Sequence, residues 1–148
     1  MNVACCVNSA IKDVLGDVSQ KLNLNMQRRV WMPPERDQLK IKFDGAFSTE
    51  DRKAACGFII RKHVGEAVLA GTANISPALD ALSAESAACL FALEAAERAL
   101  WQIRIELETD SSQLREAINL TTRDLASNGD LFRCIRELLA HYRKQSFC

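Results

Sequence analysis

The stretch "KIKFDGAF", residues 40–47, is the starting point for predicting the fold. Its first four residues alternate polar and apolar side chains, which is the period of a strand with one buried face. Asp44 then places a carboxylate on this strand, and Gly45 and Ala46 follow with almost no side chain. Two interpretations stay open. Asp-Gly is a common hairpin turn, with glycine supplying a positive φ, or Asp44 holds a ligand that needs the space beside it.

The overall composition is that of one globular domain. A chain of 148 residues with 48% apolar and 26% charged residues has the profile of a soluble single-domain protein. Nineteen basic and nineteen acidic residues give a formal net charge of zero. Binding of phosphate backbones by overall charge is therefore excluded, and such binding would need local patches or metal ions.

The cysteines and histidines bear on compartment and on zinc. The six cysteines show no paired spacing, and we expect no secretory leader. No apolar run approaches the roughly 18 residues of a membrane span, so we expect no membrane partner. Free thiols indicate a reducing, intracellular compartment, either cytoplasmic or nuclear. His63 and His141 are isolated and match no zinc spacing, so no zinc is predicted. The sequence leaves the oligomeric state undecided.

The chain is predicted to consist of an N-terminal extension and linker, residues 1–37, followed by a folded domain at 38–148. Apolar residues at helical spacing between positions 11 and 22 predict a possible short helix in the extension. The stretch "WMPPERD", residues 31–37, then interrupts regular structure, because Pro33 and Pro34 restrict the backbone.

From residue 38 the pattern predicts an α/β domain. The expected strands are 38–44, 54–61, 66–73 and 103–109, the expected helices are 82–100, 110–120 and 129–143, and "KQSFC" at 144–148 is expected to start a fifth strand. Ser83 is the predicted N-cap of the long helix. Short loops make the first three strands an antiparallel meander, whereas a long helix before the fourth predicts a right-handed crossover and a parallel pairing with the first. The prediction is a mixed β-sheet with flanking helices.

Three acids stand at selected places in this arrangement. Asp44 lies on the first strand, Glu85 in the first turn of the long helix, and Asp110 where the fourth strand ends. Each has an ordinary explanation. Asp44 fits a turn, Glu85 favours the positive end of a helix dipole, and Asp110 fits an N-cap whose capping box is completed by Gln113.

Taken together, the three acids point to a metal site. If the first and fourth strands are neighbours and the long helix packs over them, the three carboxylates converge. Carboxylates so close repel one another and stay ionised only with cations among them. Oxygen ligands favour Mg²⁺ or Mn²⁺, and two ions about 4 Å apart would stabilise the attacking and leaving oxygens of a phosphodiester displacement. Gly45 and Ala46 would then leave space for a substrate backbone.

Three segments, in this order, resemble the ribonuclease H fold: "LKIKFDGAF" at 39–47, "SAES" at 83–86 and "LETDSSQL" at 107–114. More narrowly they resemble the reverse-transcriptase-like ribonuclease H domains abundant in plants, many of which derive from non-LTR retroelements. The lead-in "WMPPERDQLKIKFDGAF" is similar to that group's Trp-x-Pro-Pro stretch, and Arg61, Lys62 and Gly65 resemble its turn between strands two and three. The resemblance covers about residues 31 to 147.

The resemblance implies a reaction and a set of site residues. Asp44, Glu85 and Asp110 match three metal-binding acids of the family, which implies hydrolysis of the RNA strand of an RNA–DNA hybrid with two Mg²⁺ (or Mn²⁺) ions. One ion activates the water and the other stabilises the leaving 3′-oxygen. Gly45, Ala46 and Ser111 are the candidate substrate-binding residues. Recognition of RNA would come from contacts to 2′-hydroxyls across the minor groove.

The family pattern also sets an expectation about the C-terminus. It continues with a fifth strand and an Asn-x-x-Ala-Asp segment whose aspartate is a fourth metal-site acid, whereas this sequence ends at Cys148. We therefore expect a C-terminally truncated domain with a weakened metal site. Two hypotheses follow: a metal-dependent ribonuclease H, weak or completed by another chain, and an inactive ribonuclease H-fold relic that binds nucleic acid or protein. Another nuclease or an integrase of the same superfamily is a third, less favoured alternative.

Overall fold

The computed structural model describes residues 30–76, 78–100, 104–120 and 127–145. The chain divides into two compact units, residues 1–32 and residues 33–148. Only residues 30–32 of the first unit are described, so the short helix predicted between positions 11 and 22 lies outside the described residues. The domain boundary predicted between residues 37 and 38 stays a prediction.

Within the second unit, the described strands form one mixed sheet. They are β1 (Gln38–Ser48), β2 (Lys53–Arg61), β3 (Ala67–Ile75) and β4 (Arg104–Glu108). Their order across the sheet is β3-β2-β1-β4. The β1–β2 and β2–β3 pairs are antiparallel, and β4 runs parallel to β1. The predicted meander with a parallel fourth strand is confirmed.

Strand β1 is longer than the alternation predicted, and this decides between the two interpretations of Asp44. The strand continues to Ser48, with Asp44 opposite Gly57 of β2. The turn that joins β1 to β2 comes later, at residues 49–52, where Arg52 has a φ of 50°. The hairpin-turn interpretation of Asp44 is therefore wrong, because residues 45–48 keep pairing with β2 beyond it.

The three described helices are α1 (Ala81–Leu100), α2 (Ser112–Asn119) and α3 (Gly129–Gln145). Helix α1 begins at a reciprocal pair of hydrogen bonds: Ser83 N–H donates to Asp80 Oδ1 at 2.7 Å, and Asp80 N–H donates to Ser83 Oγ at 2.9 Å. Asp80 is thus the residue that caps the helix. The prediction of Ser83 as N-cap is wrong, and so is the placement of Glu85 in the first turn, because the N-cap lies three residues earlier than expected and the helix begins at Ala81.

The core lies between the sheet and α1. Alternate residues of β1 and β2 and one stripe of α1 are buried: Ile41, Phe43, Phe58, Ile60, Ala88, Cys89, Ala92, Leu93 and Ala96. The alanines of this stripe recur every four residues, so the helix backbone can approach the sheet closely. Cys56 and Cys89 are buried.

The C-terminal part of the described chain is helical. Helix α3 runs to Gln145, so the fifth strand predicted from residue 144 is wrong for its first two residues. The other three lie outside the described residues. Across the described ranges, no helix is both long enough and apolar enough to cross a membrane.

Candidate metal centre

The three acids predicted from the sequence lie together in the structure. One carboxylate oxygen from each of Asp44, Glu85 and Asp110 lies within 4.8 Å of the others. Asp44 comes from the middle of β1, Glu85 from the second turn of α1, and Asp110 from the turn after β4. Asp44 and Asp110 are exposed and Glu85 is half-buried. Their role as metal ligands stays a prediction.

The parallel pairing of β1 with β4 explains why two acids meet here. Three cross-strand ion pairs lead towards the cluster: Lys40 Nζ with Glu106 Oε1 at 3.2 Å and with Glu108 Oε2 at 3.9 Å, and Lys42 Nζ with Glu108 Oε1 at 3.3 Å. Two residues further along each segment come Asp44 and Asp110. Opposite charges across a strand pair are stabilising and like charges are not. At this next position the β4 segment again supplies an acid, Asp110. On β1, however, Asp44 stands where the two preceding positions of the pattern have a lysine.

Glu85 carries the electrostatic consequence of this arrangement. Its Oε2 atom is buried and has no hydrogen-bond partner among the described residues. The pKa of Glu85 is raised to about 7 by burial, by the negative charges of Asp44 and Asp110 and by a hydrogen bond with Asp44. A hydrogen bond from the Gly45 backbone N–H acts in the opposite direction and lowers the pKa. A buried oxygen without a partner, beside two more carboxylates, is a donor set that suits a hard divalent cation. The residues present therefore fit Mg²⁺ or Mn²⁺.

The raised pKa of Glu85 predicts how stability depends on pH without divalent cations. Between its ordinary pKa of 4.5 and about 7, the folded chain binds more protons at Glu85 than the unfolded chain does. The resulting stabilisation is fully present below pH 4.5 and is lost as the pH rises through about 7. We expect this group to lower the free energy of unfolding by about 1 kcal/mol across that window, allowing for solvent screening.

Urea unfolding of the wild type and of Glu85→Gln, in EDTA from about pH 4 to about pH 8, measures this contribution as a difference. The variant should lack that part of the pH dependence, because its amide does not titrate. Mg²⁺ should flatten the wild-type curve, since a cation binds the ionised carboxylate. Equal pH dependence of the two proteins in EDTA would contradict the prediction.

Gly45 brings Glu85 to this position. A Cβ atom on Gly45 would lie 2.4 Å from the carbonyl carbon and oxygen of Ala84 and 2.6 Å from the nitrogen of Glu85. The backbone of α1 therefore sits directly on β1 at this glycine. Close packing of α1 on β1 therefore explains why position 45 is a glycine. The predicted substrate-binding role of Gly45, and that of the exposed Ala46 beside it, stays a prediction.

The turn after β4 places Asp110. Ser111 is the N-cap of α2, and its Oγ accepts a hydrogen bond from Leu114 N–H at 3.2 Å. The alternative interpretation of Asp110 as the N-cap is therefore wrong, and its carboxylate is not occupied by capping. The predicted substrate-binding role of Ser111 is untouched by this finding and stays a prediction.

Sequence reasoning missed two residues that hold this turn. Ser111 N–H donates to Thr109 Oγ1 at 3.1 Å, and Arg115 Nη2 donates to the Thr109 carbonyl oxygen at 3.2 Å. The first bond had a signal in the sequence, because a threonine two residues before a helix N-cap favours a local side-chain turn. The second had none, since Arg115 reaches back over a full turn of helix.

Comparison with known proteins identifies a family model and solved structures that are similar to this chain. The family model described as "Reverse transcriptase-like" matches residues 42–148, a range that contains all three acids. A comparison with curated proteins gave no match.

Several solved structures are similar to this chain. Ribonuclease H1 of the halophilic archaeon Halobacterium salinarum NRC-1 is 29% identical, with a TM-score of 0.57, over 71% of this chain and 79% of that one. LC11 ribonuclease H1, isolated from compost, is 18% identical with a TM-score of 0.62, over 74% and 80%. The same protein in complex with an RNA/DNA hybrid is 20% identical with a TM-score of 0.58, over 68% and 75%. The predicted ribonuclease H-like fold is thereby confirmed.

Proposed function

Because the chain belongs to the reverse transcriptase-like family, we propose that it is a metal-dependent nuclease that hydrolyses the RNA strand of an RNA–DNA hybrid. The observation that carries the proposal is the cluster of Asp44, Glu85 and Asp110 around the buried, unpartnered Oε2 of Glu85. The narrower assignment to a plant, non-LTR retroelement branch rests on sequence motifs alone and stays a prediction.

In this proposal the three carboxylates hold two Mg²⁺ (or Mn²⁺) ions. When bound, the ions would supply Lewis acidity that lowers the pKa of water and offsets the charge developing on the leaving 3′-oxygen. Glu85 is half-buried and holds its carboxylate on the protein side of the cluster. Asp44 and Asp110 are exposed, so the nucleic acid would approach from their side.

The choice of substrate is supported by a relative and by charge. LC11 ribonuclease H1, which shares the fold, is known in complex with an RNA/DNA hybrid. The zero net charge of this chain favours binding through the cations and local contacts rather than through a broad basic surface. We assign Gly45, Ala46 and Ser111 to the substrate-facing surface, where discrimination would come from 2′-hydroxyls. A cytoplasmic or nuclear location fits such a substrate.

Cleavage of a labelled hybrid tests the proposal directly. The hybrid is labelled on the RNA strand in one reaction and on the DNA strand in another, and each is incubated with Mg²⁺, Mn²⁺ or EDTA. RNA–RNA and DNA–DNA duplexes of the same sequence serve as matched substrates. We expect products from the RNA strand of the hybrid alone, and only with a divalent cation.

Two other results would lead elsewhere. Cleavage of the DNA duplex at the same rate would overturn the substrate but keep the chemistry. Folded protein that binds the hybrid without cleaving it, with either cation, would replace this function by the alternative: an inactive ribonuclease H-fold module that binds nucleic acid. Circular dichroism on the same sample shows whether the protein tested is folded.

A further inference from the structure

Two of the three acids of the cluster lie in regular secondary structure, whereas the third lies in a turn. Asp44 lies inside β1, paired with Gly57 of β2, and Glu85 lies inside helix α1. Asp110 lies in neither a strand nor a helix, but in the short turn between β4 and α2. Carboxylates this close repel one another. The acid on the irregular backbone is therefore the one that repulsion can most easily move out of place.

Two hydrogen bonds hold that turn, and both end on Thr109. Its Oγ1 accepts from Ser111 N–H at 3.1 Å, which spans Asp110, and its carbonyl oxygen accepts from Arg115 Nη2 at 3.2 Å. Thr109 is thus bonded on its side chain and on its backbone, directly before the acid. On the other side, Ser111 is tied to the buried Leu114 through the helix cap.

Packing alone does not hold the turn from beneath. Thr109 and Arg115 both line a groove of about 610 Å³ between β4 and the helices α2 and α3. A segment that borders open space has fewer van der Waals contacts to fix it than one inside a close-packed core. The hydrogen bonds of Thr109 therefore contribute to restraining the backbone on either side of Asp110.

We infer that Thr109 and Arg115 are positioning residues for Asp110, holding its carboxylate at the cation site against the repulsion of Asp44 and Glu85. The inference rests on the proposed metal site. Neither residue contacts the cation, and both act through the turn. Partners that orient a metal ligand in this way influence metal affinity as well as activity.

The direction in which the Kd for Mn²⁺ changes on removal of Arg115 distinguishes a positioning role from a purely electrostatic one. Arg115 carries a positive charge and bonds to the residue before Asp110, so if it acted by charge alone, its removal would make the site more negative and Mn²⁺ would bind more tightly. If it positions Asp110, its removal weakens Mn²⁺ binding. The two roles therefore predict opposite changes in the Kd.

Isothermal titration of the full chain with Mn²⁺ is the experiment. We expect Thr109→Val and Arg115→Met each to raise the Kd for Mn²⁺ by about 10-fold. Thr109→Ser keeps the accepting hydroxyl and should retain the wild-type Kd. Arg133→Met is the matched control, because Arg133 is an exposed arginine whose ion-pair partner is Asp130 on its own helix. Its Kd should be unchanged.

Asp110→Asn, titrated in parallel, distinguishes the two ways in which the inference can fail. If Asp110→Asn binds Mn²⁺ as the wild type does, the proposed metal site is wrong and the positioning role falls with it. If Asp110→Asn weakens binding but Thr109→Val and Arg115→Met do not, the positioning role alone is overturned. Tighter binding by Arg115→Met also overturns it. Thermal unfolding of each variant checks folding, and Arg115→Met decides the matter if Thr109→Val does not fold.

Discussion

Substitution of Asp44 by asparagine is expected to lower the rate of hybrid cleavage by about 10³-fold or more and, without divalent cations, to make the protein more stable. The rate falls because one of three ligands is lost, and a bound cation contributes several kcal/mol of transition-state stabilisation. Each tenfold in rate corresponds to about 1.4 kcal/mol. Stability rises because the amide removes a negative charge beside Glu85, whose pKa that charge helps to raise. The gain should be about 1 kcal/mol.

Single-turnover cleavage and urea unfolding in EDTA measure the two effects of Asp44→Asn on one preparation. Added Mg²⁺ should stabilise the wild type, since it binds only the folded state, and this increment should shrink in the variant. Asp51→Asn is the control, because Asp51 is an exposed acid in the turn between β1 and β2. A variant at Asp44 that kept the wild-type rate would contradict the role of Asp44 as a cation ligand in cleavage, and one that became less stable in EDTA would contradict the predicted repulsion.

Substitution of Gly45 by alanine is expected to lower the free energy of unfolding by about 3 kcal/mol. The added methyl group would lie 2.4 Å from backbone atoms of Ala84, and backbone in the first turns of a packed helix cannot yield as a flexible side chain would. Relief requires α1 to move away from β1. Such a shift would also separate Glu85 from Asp44, so Mn²⁺ binding should weaken in whatever fraction of the protein still folds.

Gly57→Ala provides the matched comparison on the neighbouring strand. A Cβ atom there would meet Thr72 Cγ2 at 3.6 Å, which is an ordinary contact. We expect a change in the free energy of unfolding within about 0.5 kcal/mol, helped by the lower entropy of alanine in the unfolded chain. Urea denaturation of both variants decides the matter. Equal stability of Gly45→Ala and Gly57→Ala would mean that the helix is not held at Gly45 as the structure indicates.

The fold was predictable from the sequence wherever local pattern and topology agree. Alternation marked β1, and short loops against one long helix separated the antiparallel pairs from the parallel one. The start of α1 was not predictable to the residue, because Asp80 and Ser83 both suit an N-cap. Only the paired hydrogen bonds between them show which residue caps and which reciprocates.

The convergence of the three acids was predictable from the sequence, but their energetics were not. Asp44, Glu85 and Asp110 follow from strand order and helix placement. The buried Oε2 of Glu85 depends on packing between segments distant in sequence, and so does the contact of Gly45 with Ala84. Neither leaves a local pattern. The direction of the Arg115 side chain is likewise set by the folded turn.

The carboxylate cluster has a consequence for how such a chain would change over generations. Its acids oppose folding when no cation is bound, whereas Gly45 supports folding whether or not the protein has a reaction to perform. In a lineage released from selection for cleavage, amide substitutions at Asp44, Glu85 or Asp110 would improve folding and spread, while replacements of Gly45 would be removed. The glycine would therefore be retained in any copy that still folds, whether or not it cleaves. Retention of the three acids, by contrast, would depend on continued selection for cleavage.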